Sequence, residues 1–404
     1  MYCSKRIRRA LALAWLTVVV AACGGGGGGA APTSKQPTAD NVLSVTVESG
    51  PNGNAVNTLY AAVTICQPGS TTNCQTIDHV LVDTGSTGLR LLSSVVAPGL
   101  NLSRTTTSSG GTLLNCAQFL DNSFAWGPVV TVDMALGGKK AAAVPIQLIA
   151  DPVSNHLAAS CSSGVALSSV STLGAKGILG IGLFKEDCGS PCASNAANGV
   201  YYSCSDGACS ATLASAASTS QQLKNPVPLF ASDNNGLLID LPAVASSGAA
   251  SLNGSVVFGI ATQSNNQFTS GTVLKTSTGN FTALFAGRSL NRSFLDTGSN
   301  ALFFDSSAIP PCGVGASGFY CPSTRTQLSA TLLDNNLAST GVTFSIDNAL
   351  TLFSGGNSVL PTLSGPVGDA QTFDWGLPFF YGRRVFIGIE HQSSSAGTGP
   401  FYAF

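Results

Sequence analysis

Val80–Ser94 reads VLVDTGSTGLRLLSS, and Ser293–Ser307 reads SFLDTGSNALFFDSS. Aligned at Asp83 and Asp296, the segments share Asp-Thr-Gly-Ser, then a Leu (Leu89, Leu302), then a Ser-Ser pair. In each, an apolar run feeds the Asp. The Thr (Thr84, Thr297) is short and β-branched, so its hydroxyl can bond to backbone while its methyl packs. The Gly (Gly85, Gly298) permits a sharp turn and close approach of other backbone. The Ser (Ser86, Ser299) sits where its hydroxyl can orient the carboxylate. One Asp-x-Gly is an ordinary turn. The duplication, one copy near the head of each half, marks a paired site.

Two such loops meeting across an approximate twofold axis would bring two carboxylates together. Carboxylates ~3 Å apart cannot both ionise easily and share a proton. The pair then offers a base that takes a proton from water and an acid that gives one to a carbonyl oxygen. That is amide hydrolysis by activated water, without metal or covalent intermediate. The expected catalytic residues are Asp83 and Asp296, and no cofactor is expected.

Around these segments the chain alternates short β-rich runs with Gly/Asn/Ser turns. Runs include Val42–Val47, Leu59–Ile65, Val80–Val82, Val129–Leu136, Val144–Ile149, Leu237–Leu241, Ser255–Ile260 and Arg383–Ile389. Many strands and little helix predict a mostly β protein. The best helical candidate is Ser210–Lys224, stopped by Pro226. Residues 187–219 hold four cysteines in an Ala/Ser/Asn/Gly-rich setting and read as a disulfide-pinned insertion running into that helix. A lobe boundary falls in 246–251. The expected division is a leader at 1–22, a tether at 23–41, an N-terminal lobe at 42–248 and a C-terminal lobe at 249–404.

Composition narrows the context. Only 9% of the 404 residues are charged, and the net charge is −1. Nothing in the mature part would neutralise phosphates, which excludes nucleic acid as a partner. Lys5, Arg6, Arg8 and Arg9 precede an apolar run, Ala10–Ala22, of secretory-signal length. Val20-Ala21-Ala22-Cys23 resembles a bacterial lipoprotein signal, with Cys23 as the lipid attachment site and Gly24–Gly29 as the start of a flexible tether. Gly24 rather than Asp after the cysteine leans toward the outer membrane, by resemblance to other lipoproteins. The expected location is the bacterial cell envelope, with a lipid anchor in the membrane. Residues 24–41 are short and hold one basic residue, Lys35, so no inhibitory pro-segment is expected.

Ten cysteines remain after Cys3 and Cys23, an even count that reads as five disulfides in an exported protein. Cys66–Cys74 and Cys312–Cys321 are local pairs. Cys116–Cys161 follows if Cys188, Cys192, Cys204 and Cys209 pair among themselves, in any of three ways. There is no Cys-x-x-Cys, and His79, His156 and His391 are scattered, so no metal is expected. No Gly-x-Ser-x-Gly elbow or Walker-type loop competes with the paired Asp.

On its two Asp motifs, and on GILGIG at Gly177–Gly182, the chain resembles the pepsin-like aspartic peptidases. It is also similar to a bacterial lipoprotein family of uncharacterised function sharing that fold. The resemblance implies a bilobal, pseudo-twofold β fold with an inter-lobe cleft for an extended peptide or protein substrate. It implies Gly180 and Gly376 as glycines backing the Asp loops, Gly254–Ile260 as the crossing between lobes, and Ser86, Ser299, Thr84 and Thr297 as supporting residues. The flap hairpin falls on Asn115–Gly138, with Phe119, Phe124 and Trp126 but no Tyr. Two positions depart from the family pattern: Arg90 and Asp374 stand where apolar residues are expected. The reading is an exported aspartic endopeptidase. The alternative is a non-catalytic peptide- or glycan-binding protein on the same fold.

Overall fold

The computed structural model describes residues 39–404, apart from 155, 163, 196–198, 206, 207, 212–217 and 337. The expected leader, Cys23 and most of the expected tether lie outside the described residues. From Val42 onward the regular structure is dominated by strands. The first half contains β1 (Val42–Val47), β2 (Leu59–Cys66), β3 (Cys74–Asp83), β4 (Thr87–Leu92), β5 (Thr112–Gln118), β6 (Phe124–Leu136), β7 (Lys139–Ile149), β8 (Gly177–Ile181), β9 (Tyr201–Ser205), β10 (Ala208–Ala211) and β11 (Gly236–Asp240). The second contains β12 (Leu252–Phe258), β13 (Val273–Lys275), β14 (Phe281–Phe285), β15 (Arg288–Leu295), β16 (Leu302–Phe304), β17 (Thr326–Leu333), β18 (Ser339–Ile346), β19 (Ser364–Gly365), β20 (Phe373–Trp375), β21 (Arg384–Gly388), β22 (Ser393–Ser394), β23 (Gly397–Thr398) and β24 (Phe401–Ala403).

Among the described residues two large sheets take all of these strands but β22 and β23, which pair with each other. A 15-stranded sheet runs β10-β9-β5-β6-β7-β4-β8-β3-β2-β1-β12-β11-β21-β24-β13, and a 7-stranded sheet runs β18-β17-β14-β15-β20-β16-β19. The alternating sequence of β1 gives alternating burial, as expected of a strand with one wet face. By contrast β8, Gly-Ile-Leu-Gly-Ile, is buried at every residue because it is covered on both faces. Gly254–Ile260 largely forms β12, which pairs with β1 and β11 and so joins the chain's midpoint to its start.

The internal repeat is visible in the pairing. β8 lies between β3, parallel to it, and β4, antiparallel. β20 lies between β15, parallel, and β16, antiparallel. Each half thus wraps one strand–Asp loop–strand segment around a central strand. One continuous core joins the halves, from Leu43 and Val45 through Leu89, Leu179, Leu302 and Trp375 to Tyr402. Behind the second Asp loop it is aromatic, with Phe373 and Trp375 stacked at 3.8 Å between centroids.

The helix expected at Ser210–Lys224 is largely absent from the described residues. Ala208–Ala211 pairs with β9 as a hairpin, and only Ser218–Gln221 is helical. Residues 212–217 of the expected helix lie outside the described residues, and at its start Ser210 and Ala211 pair with β9. The insertion extends the β5–β6 hairpin, with β9 adding to β5.

Five disulfides are present among the described residues: Cys66–Cys74, Cys116–Cys161, Cys188–Cys192, Cys204–Cys209 and Cys312–Cys321. Four close loops of 4 to 9 residues, whereas Cys116–Cys161 spans 45. Loop-closure entropy grows with span, so this bridge restricts the unfolded chain most. Cys116→Ser with Cys161→Ser should cost about 4 kcal/mol, against about 2 kcal/mol for Cys188→Ser with Cys192→Ser, read as denaturant midpoints.

Candidate active site

The site begins where β3 and β15 end. β3 runs apolar to Asp83, and β15 delivers Asp296 one residue beyond its last paired position. Each carboxylate is held by its own turn. The Gly85 amide donates to Asp83 Oδ1 at 2.8 Å, and the Gly298 amide donates to Asp296 Oδ1 at 2.7 Å. On the outer side, Ser86 Oγ lies 2.5 Å from Asp83 Oδ2, and Ser299 Oγ lies 2.8 Å from Asp296 Oδ2. Two local segments of identical sequence have made the same local structure.

The loops are then locked to each other. The Thr84 amide donates to Thr297 Oγ1 at 3.1 Å, and the Thr297 amide donates to Thr84 Oγ1 at 3.0 Å. Each hydroxyl continues to the opposite strand: Thr297 Oγ1 donates to the Val82 carbonyl at 2.7 Å, and Thr84 Oγ1 to the Leu295 carbonyl at 3.5 Å. Both threonines are buried, so these bonds act in a low-dielectric setting. The Gly85 amide also reaches Asp296 Oδ1, at 3.1 Å. The inner oxygens of both carboxylates therefore converge between the two glycines. A Cβ on Gly85 would stand 2.7 Å from Asp296 Oδ1, and one on Gly298 would stand 2.8 Å from Asp83 Oδ1. Only glycine allows this approach.

The inner oxygens of the two carboxylates share a donor, the Gly85 amide, which reaches Oδ1 of both. Burial, and then the negative charge of Asp83, push the Asp296 carboxyl well above the usual carboxylate range. Asp83 is buried, whereas Gly85 is exposed and Asp296, Gly298 and Ser299 keep partial solvent contact. The pair is braced from behind and open in front.

The family described as "Protein of unknown function (DUF3443)" matches residues 37–404. The chain belongs to this family. Among solved structures, the aspartic proteinase from Irpex lacteus is similar at a TM-score of 0.49 and 14% identity, covering 90% of this chain and 96% of that one. No curated protein matches. The mostly β fold expected from the sequence is the fold of this DUF3443 member, with one strand–Asp loop–strand unit in each half.

In this DUF3443 chain the two loop-backing glycines are sterically required. Gly180 pairs with Asp83, and its Cβ would lie 2.6 Å from the Thr87 amide nitrogen. Gly376 follows β20, and its Cβ would lie 2.2 Å from the Ala301 carbonyl oxygen and 2.6 Å from that of Ser299. Backbone cannot yield as a flexible side chain can. Gly376→Ala should destabilise by about 1–3 kcal/mol and displace the Asp296 loop. The readouts are a lowered melting temperature and a shifted titration of the acidic pair; an unchanged titration would remove the loop-backing role.

The hairpin aromatics do not form a lid. Phe124 and Trp126 are 4% and 7% exposed and pack with the Cys116–Cys161 bridge and Tyr202. The Trp126 indole donates to the Ser154 carbonyl at 3.1 Å. Phe119 packs beside the Leu92, Ala125 and Ile149 cluster. The insertion strands supply partners that sequence periodicity cannot reveal, so side chains read as cleft-covering are hairpin core.

Both departures from the family pattern have partners. Arg90 is buried, donating to the Thr87 carbonyl at 2.8 Å and pairing with Asp187 at 3.4 Å. Asp187 also accepts from the Tyr201 hydroxyl at 2.6 Å and the Asn115 amide at 3.0 Å. Arg90 thereby ties the insertion to the strand leaving the first Asp loop. Asp374 lies against the second loop, its Oδ2 2.5 Å from Ser299 Oγ. Sequence reading marks both positions as anomalies without assigning them contacts. An ionisable residue inside an otherwise apolar strand is the available signal.

Proposed function

We propose that this protein is an aspartic-type endopeptidase of the cell envelope, hydrolysing peptide bonds with one water held between Asp83 and Asp296. The observation that carries the reading is the convergence of two carboxylates on matching Gly/Ser turns, sharing the Gly85 amide, with Asp296 partly exposed to solvent. The ionised member takes the proton of the water as its oxygen attacks the carbonyl carbon. The protonated member gives its proton to the carbonyl oxygen, forming a neutral gem-diol. Collapse returns a proton to the departing amine and breaks the C–N bond. Ser86 and Ser299 hold the outer oxygens. The threonine bonds keep the carboxylates from drifting apart, which a shared proton demands.

Cys23 would carry the lipid and hold the enzyme to the membrane, with substrate an extended peptide or protein segment. The test is incubation of purified protein with a mixed peptide pool across acid to neutral pH, with products read by mass spectrometry. Internal cleavage that disappears in Asp83→Asn and Asp296→Asn supports the reading. A protein that binds peptides but never cleaves them replaces it with the binding alternative. The Cys116–Cys161 bridge favours that alternative, because it fastens the hairpin that would have to open over a substrate.

A further inference from the structure

Asp374 lies in β20, opposite Phe294 of β15 and Phe303 of β16, and is 4% exposed. Ser299 Oγ stands between two carboxyls, 2.8 Å from Asp296 Oδ2 and 2.5 Å from Asp374 Oδ2. A serine hydroxyl has one hydrogen. It can donate to only one of these oxygens, so the other short contact needs a hydrogen from the carboxyl itself. No Lys, Arg or His among the described residues forms an ion pair with Asp374 to offset a charge. Its other oxygen, Oδ1, is buried with no hydrogen-bond partner. An unpartnered oxygen is far cheaper to bury on a neutral acid than on a carboxylate.

We propose that Asp374 is a positioning residue protonated at neutral pH, donating to Ser299, which donates to Asp296, so that the site is a three-carboxyl unit holding two protons. Burial pushes the Asp374 carboxyl up to about 8, against the opposing Ser299 bond and with the Asp83 charge adding to the rise. The chain Asp374–Ser299–Asp296 gives every hydrogen one direction. It keeps the outer oxygen of Asp296 supplied with a donor and leaves the shared proton of the pair on the inner side, where a water and a carbonyl would be.

The titratable groups facing Asp374 are Asp83 and Asp296 from the two loops and Tyr402 from β24. When Asp374 ionises, its carboxylate competes for the single Ser299 hydrogen. Asp296 then loses a donor, gains a negative neighbour and becomes a poorer acid. The catalytic consequence rests on the peptidase reading; the proton count does not.

The experiment is a carbon-13 NMR titration of aspartate carboxyl carbons in the intact protein, wild type beside Asp374→Asn. At neutral pH wild type should show two neutral carboxyls and the variant one, the lost signal being one that titrates near pH 8. Equal numbers of neutral carboxyls in the two proteins, or an Asp374 signal titrating in the ordinary carboxylate range, overturn the proposal. In the activity arm, the Asp374→Asn variant keeps a donor to Ser299 that does not titrate. Its alkaline limb should move to higher pH. An alkaline limb identical to wild type overturns the positioning role. Wild type that cleaves nothing yet holds two neutral carboxyls sinks the peptidase reading and supports the proton count.

Discussion

Asp83→Asn and Asp296→Asn should each lower peptide cleavage by about 10²–10⁴-fold, with folding intact. An amide can neither take a proton from water nor give one to a carbonyl oxygen. It is isosteric with the carboxyl, so the turn bonds from the Gly85 and Gly298 amides keep an acceptor. Stability gives the control. The folded Asp296 carboxyl is raised above its unfolded value of 3.8, so its contribution to stability is full below pH 3.8 and is lost as pH rises through the folded value. The non-titrating amide of the Asp296→Asn variant has no such loss. That variant should therefore melt at or above wild type at neutral pH while losing activity. A variant within about tenfold of wild-type rate would show that the pair does not carry the acid–base work.

The second large effect is on stability. Asp374→Asn should leave the protein no less stable below pH 3.8 and increasingly more stable than wild type as pH rises toward 8. Below 3.8 the carboxyl is protonated in both folded and unfolded chains, and the two proteins differ little. Between 3.8 and about 8 the unfolded chain releases the proton while the folded chain retains it, so wild type loses stability across that window. Above it the folded group also ionises and the gap levels off. The linkage sets a gap on the order of 5 kcal/mol. Urea unfolding with disulfides intact, at both ends of the window, measures it. Parallel pH–stability curves for the two proteins would mean that Asp374 is ionised in the fold.

How much is legible in the sequence differs by element. The Asp turns can be read because each is a local structure: strand, Asp, short Thr, Gly and Ser act within four residues, and the repeat announces the pairing. β1, β2 and the ends of β6 and β7 carry period-two or continuous apolar patterns. Of the helix expected at Ser210–Lys224, the described residues keep only Ser218–Gln221, because Ser210 and Ala211 pair across strands with β9, a partner no local pattern names. The hairpin aromatics mislead for a related reason: an aromatic in a hairpin looks the same whether it faces a cleft or a neighbouring strand. Asp374 can be seen as out of place, yet its partner lies 75 residues away.

From its sequence alone the chain specified two carboxylates, each on a turn that points it off a strand end, and a strand-rich fold to carry them. These depend on contacts spanning a few residues, which the order of amino acids dictates directly. Folding in three dimensions decided the rest. It set the threonine exchange between loops, the approach of each Gly to the opposite carboxyl and the third acid behind Ser299. Those contacts join residues 75 to 215 positions apart. Distance between such groups is set by how two sheets share one core, and no local pattern encodes it.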